Sequence, residues 1–219
     1  MKRTLKICLV LSLVFCIGGQ IFAQDIRQDF GLWSSIGVKK KLSKKWDLSA
    51  DYEYRLRDNL HQLRNTFVEI KLVRDLPKKW KTAAYIRATA EPDEFKIRFT
   101  HTVNKSFKIN DFTLKYRLRH DVDRNVFQSD QNFEVRLRNR LGLQYRYKKS
   151  SLKSAFFVEI NNDYESSFLF IDRLRLKGSL KYEISKDLSL ELAYLTQRNY
   201  FVVEPRRDFV CVIGLSYEL

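Results

Sequence analysis

Acid–base chemistry in this 219-residue chain would have to start from three histidines, His61, His101 and His120. His101 and His120 lie in two alternating runs joined by a turn at 108–111. If Phe107 pairs with Phe112 across that turn, Phe99 opposes His120 and His101 opposes Leu118. The imidazoles are then diagonal neighbours on an apolar face. A lipid hydrolase on such a wall needs a nucleophile beside the base and a group to orient it. Thr102 follows His101 but points to the other face. No serine shares the register, and no Gly-x-Ser-x-Gly elbow occurs. No catalytic residue is assigned, and a non-enzyme is expected. Metal chemistry lacks a donor set as well. There is no cysteine pair and no His-x-x-x-His, and "DRN" and "NND" are too short for a calcium loop. Neither a metal nor another cofactor is expected.

Arginine is the charged residue that recurs in pattern. It stands two apart at Arg55/Arg57, Arg117/Arg119, Arg136/Arg138/Arg140 and Arg173/Arg175. On a strand that spacing puts each set on one face. The opposite face is largely apolar. Trp46, Leu48, Ala50, Tyr52, Tyr54 and Leu56 alternate with Asp47, Ser49, Asp51, Glu53, Arg55 and Arg57, and similar runs follow to the C-terminus. Period-two alternation over this length is a half-apolar β-strand. Strands are expected at 30–42, 46–57, 63–74, 80–89, 95–107, 112–121, 131–147, 152–161, 168–183, 188–199 and 208–219. Short connections such as Ser43-Lys44-Lys45 and Leu76-Pro77-Lys78-Lys79 alternate with longer ones near 58–62, 90–94, 122–130, 162–167 and 200–207.

The first residues are read as a targeting segment. Lys2, Arg3 and Lys6 precede an apolar run from Ile7 to Ile17, and Ile21-Phe22-Ala23 ends a secretory signal peptide spanning 1–23. Lipidation at Cys16 would need a small residue before it, and Phe15 stands there. Residues 24–219 then form a single domain whose only cysteine is Cys211, so no disulfide forms within it. The formal net charge of +15 falls by the charges of Lys2, Arg3 and Lys6 to +12. In a soluble chain such basicity among aromatics would point to nucleic acid. An exported barrel has no such partner.

Two placements for the apolar face remain. A soluble sandwich or lipid-binding barrel would turn it inward. The arginine-rich polar face and the long strands favour a transmembrane antiparallel up-and-down β-barrel, apolar outward, with short periplasmic turns. Trp46, Trp80 and Phe112 would then form an aromatic girdle at the turn end, with Lys-Lys hydrated beside the first two. Phe95, Phe127, Phe168, Tyr200 and Phe201 are candidates for the opposite girdle.

The stretches "DFGLWSSIGVKKKLSKKWDLSADYEYRLRDN", "YRLRH", "VRLRNRLGLQYRY" and "DRLRLKGSLKYEISKDLSLELAY" make the chain similar to the bacterial outer-membrane β-barrels catalogued as domain of unknown function 2490. The resemblance spans nearly all of residues 24–219. It implies the cell outer membrane and supplies no activity. The C-terminus resembles a signal for the barrel assembly machinery, ending in Leu219 where an aromatic is usual.

The strand count is expected at 10–12. Even counts are usual in single-chain bacterial barrels, so 12 is favoured over the eleven runs that can be read. Arg117, Arg119, Arg136, Arg138, Arg140, Arg173 and Arg175 would line the lumen, with Glu134 and Glu159 among the acids that offset them. Two functions follow: a structural barrel filled by a salt-bridge network, or a narrow channel preferring small anions. The competing classes are an outer-membrane lipid-modifying enzyme and a soluble periplasmic lipid carrier. Outer-membrane lipid is the expected surrounding partner.

Overall fold

The alternating runs fold as their period dictates. The computed structural model describes residues 27–126, 133–148, 150–165, 168–200 and 206–219. It contains eleven strands: β1 (Arg27–Lys41), β2 (Trp46–Arg57), β3 (Gln62–Leu76), β4 (Trp80–Ala90), β5 (Phe95–Ile109), β6 (Phe112–Asn125), β7 (Phe133–Arg146), β8 (Leu152–Glu165), β9 (Phe168–Glu183), β10 (Leu188–Asn199) and β11 (Arg206–Glu218). Each pairs with its sequence neighbours in antiparallel fashion, and β1 meets β11 to close the barrel. The expected signal peptide and the girdle candidates Phe127 and Phe201 lie outside the described residues.

An odd number of strands leaves the first and last running the same way, so the closing pair is parallel, from Arg27↔Arg206 to Lys39↔Glu218. This corrects the preference for 12 strands. No extra strand forms in 27–35, which β1 takes whole. Ionic contacts hold the seam near both ends. Arg206 pairs with Asp29 at one, and Lys39 Nζ lies 3.3 Å from Glu218 at the other. Between them Trp33, Leu195 and Val210 pack together inside.

Connections at one end span 42–45, 77–79, 110–111, 147–151 and 184–187. At the other end they span 58–61, 91–94, 126–132, 166–167 and 200–205. The expected contrast between short and long is weaker than the sequence suggested, because β8 extends through Glu165 into the supposed loop at 162–167. The 110–111 turn is also tighter. Asn110 takes φ 53°, and Ile109, not Phe107, faces Phe112. Asparagine tolerates that left-handed backbone, which a two-residue hairpin turn requires.

Candidate functional site: the charged interior

Burial separates the two faces. Among the described residues, the buried apolar side chains are Trp33, Phe67, Ala83, Leu195 and Val210, against fourteen buried polar ones. The large aliphatic and aromatic residues of the alternating runs are exposed on the outside. The core of this barrel is therefore ionic, and strand register determines which charges meet.

Arginines oppose arginines across β6 and β7: Arg117↔Arg140 and Arg119↔Arg138. Like charges in that position repel. Carboxylates from adjacent positions separate them. Asp121, fully buried, lies 2.7 Å from Arg119 Nε and 2.9 Å from Arg138 Nε. It also accepts a hydrogen bond from Thr100. Asp123 serves Arg98 and, at 3.0 Å, Arg136. Glu159 accepts from Arg117 at 2.6 Å and from Arg175 at 3.2 Å. Arg175 donates onward to Gln197 at 2.9 Å, and Gln197 to Asp208 at 2.5 Å. Three carboxylates thus bridge six guanidiniums. Arg140 has no carboxylate within 4.0 Å among the described residues. It lies over the Phe157 ring at 4.6 Å. Room for that ring comes from Gly142, whose added Cβ would fall 2.1 Å from Phe157 Cδ1.

Every arginine singled out from the sequence points into this interior. Arg173 donates to Asn199 at 2.6 Å. Glu134 pairs with Arg136 near the rim and is exposed. Glu53, Glu69 and Glu191 pair with Arg55, Arg87 and Lys177. Glu183 pairs with Lys153.

Several participants were missed. Asp121 ends the expected strand and Asp123 continues the period of "RLRHDVDRN" two residues past it, and that continuation was the available signal. Trp33, Phe67 and Tyr85 face inward as platforms for cations. Arg55 lies 3.9 Å from the Trp33 ring, Arg87 lies 3.7 Å from Phe67, and Arg119 lies 5.4 Å from Tyr85. Such stacking adds to the carboxylate that each of these arginines already has. Strand parity was the available signal: Trp46 shares a face with Leu48 and Tyr52, whereas Trp33 lies on the face opposite Ile36 and Val38.

Two cavities flank the network. One of about 380 Å³ opens at the 42–45 end, lined by Lys39, Lys71, Lys81 and Lys181 with Asp47, Asp51 and Glu183. The other, about 40 Å³, lies at the far end between Arg55, Arg87, Arg98 and Asp123.

The histidines sit on the outside. His101 and His120 are directly opposed, not diagonal as expected, because the tighter 110–111 turn shifts the register. His101 Nε2 lies 2.9 Å from Thr82 Oγ1, whose proton is directed at the Thr102 carbonyl, 3.1 Å away. Trp46, Trp80 and Phe112, expected as an aromatic girdle, are 36%, 38% and 44% exposed at the turn end.

A closed all-β barrel with an apolar outside and an ionic inside is the class these features define. The chain belongs to the family described as Protein of unknown function (DUF2490), which it matches over residues 30–205. No curated protein matches it. A similar solved structure is the beta domain of the Bordetella autotransporter BrkA. It is 10% identical, with 77% of this chain and 82% of that chain covered, at a TM-score of 0.49.

Proposed function

We propose that the chain is a non-enzymatic integral barrel of the outer membrane, closed inside by its arginine–carboxylate network and structural in role. One observation carries this reading: the barrel is inverted relative to a soluble protein. Tyr52, Val68, Ile70, Phe99, Leu141 and Ile213 stand exposed while Asp121, Asn161 and Gln197 are buried. Water would penalise that exterior, and a bilayer rewards it. The basic start and apolar run of residues 1–17 support export to that compartment. The final strand supports delivery by the barrel assembly machinery. Thr82 is not read as a nucleophile, since its hydroxyl also bonds the Thr102 backbone carbonyl at 3.1 Å. Fractionation and electrophoresis test the proposal. Detergent-extractable membrane protein that migrates faster unheated than boiled is expected. Release by osmotic shock in soluble form overturns it.

A second reading, a narrow anion-preferring channel, is favoured by the surplus of guanidiniums over bridging carboxylates, with Arg140 the plainest case. Planar-bilayer recording separates the two.

A further inference from the structure

The two Lys-Lys-Trp corners of the sequence meet on one surface. Trp46 opens β2 and Trp80 opens β4. Arg74 stands directly across from Trp46, and Lys105 directly across from Trp80. The Arg74 guanidinium lies 5.2 Å from the Trp46 ring centre. The Lys105 ammonium lies 4.7 Å from that of Trp80 and 5.3 Å from that of Phe107. Arg74 also pairs with Thr82, two residues along β4 from Trp80, so the four side chains form one outward patch over β2–β5. The turns beneath add Lys44, Lys45, Lys78 and Lys79, all exposed.

None of these six cations has a carboxylate within 4.0 Å among the described residues, and the nearby Asp75 is taken by Lys81 at 2.7 Å. Lys105 Nζ instead donates to the Lys78 carbonyl at 2.5 Å, which ties the turn to the patch. Lys78 and Lys79 hold φ of 56° and 62°, a backbone that glycine would adopt at lower cost. The opposite end of the same strands carries Asp58, Glu91, Asp93 and Glu94.

We propose that this patch binds the phosphate-bearing headgroup of an anionic phospholipid. The proposal rests on the membrane reading above. Indole prefers the interface, where it sets the depth, and a cation lying over it keeps N–H edges free for phosphate oxygens. The uncommitted lysines supply the attraction to negative headgroups that juxtamembrane basic clusters exert. A zwitterionic headgroup, with no net charge, would gain little.

Tryptophan fluorescence reads this directly, because Trp33 is only 8% exposed, inside the barrel, and contributes an unquenched background. The full protein is reconstituted in phosphatidylcholine vesicles. A fixed fraction of brominated phosphatidylglycerol or brominated phosphatidylcholine is then included. Phosphatidylglycerol is expected to quench with several-fold higher apparent affinity. Arg74→Gln with Lys105→Gln should bring that ratio down several-fold, to near parity. Lys78→Gln with Lys79→Gln, which leaves both ring contacts in place, should lower it in the same direction. Lys148→Gln, on a distant turn, should leave it unchanged. Equal quenching by the two lipids in the wild type overturns the site while sparing the membrane reading. An equal fall with Lys148→Gln overturns it in favour of diffuse attraction. No quenching by either lipid overturns the membrane reading itself.

Discussion

Asp121 shows what holds this molecule together at the scale of one residue. Its carboxylate is fully buried between Arg119 and Arg138, which face one another across β6 and β7. Removing one member of a buried ionic cluster leaves charge without compensation, at about 3–5 kcal/mol. Replacing a whole cluster with apolar groups is often neutral. Asp121→Ala is therefore expected to lower unfolding stability in detergent by about that amount. The triple change of Asp121, Arg119 and Arg138 to leucine should cost less than the single change. Denaturant titration of both checks this, and a triple variant clearly weaker than the single one would show that the network contributes more than mutual neutralisation. The arginines of this cluster were legible in the sequence because they recur at even spacing. Its aromatic platforms were not. Trp33 and Phe67 do have inward parity, Phe67 on the face of Glu69 and Lys71 and Trp33 on the face opposite Ile36 and Val38, but an aromatic type on the charged face gives no sign of which cation it will meet.

At the scale of the strand, facing follows from period, and the period was read directly. Most expected strand bounds lie within three residues of those observed, since each turn is marked by lysine, proline, serine, asparagine or aspartate beside an alternating run. Register across a turn was not legible to the same degree. It depends on whether two or four residues form the bend at 108–111, and that decided whether His101 meets Leu118 or His120. The facing itself has a direct test. Leu176 is outward and Arg175 inward. Leu176→Arg should impair folding into bilayers by about 2–4 kcal/mol if it lies near the midplane. Arg175→Leu, which removes a network partner and places no charge against lipid, should cost stability once folded while still allowing insertion. Insertion of Leu176→Arg as efficient as that of Arg175→Leu would contradict the assigned faces. The seam between β1 and β11 makes a second prediction at this scale. Parallel pairing is slightly weaker per residue than antiparallel pairing, so hydrogen exchange should reach 27–41 and 206–218 before 95–125. Exchange that begins instead within β5 and β6 would place the weak point elsewhere.

For the whole molecule, the question is whether eleven strands enclose a path. A barrel of about eight strands is filled by ordinary side chains. Eleven enclose more, and here the space is taken by the longest side chains, arginines spread on rings and bridged by Asp121, Asp123 and Glu159. Asn161, Gln197 and Thr102, nearly or fully buried, stand opposite Arg138, Arg175 and Arg119 on neighbouring strands and belong to the same layer. Wild-type protein in a planar bilayer is therefore expected to show no steady current. Arg138→Ala with Arg175→Ala removes two guanidiniums from the layer and should admit ions. The remaining arginines still exceed their carboxylates, so that current should prefer anions. Arg138→Glu with Arg175→Glu places negative charge at the same positions and should weaken or reverse the preference. Steady anion-selective current in the wild type would favour the channel reading over the structural one. Cation-selective wild-type current would contradict both, because each places the excess positive charge within the barrel.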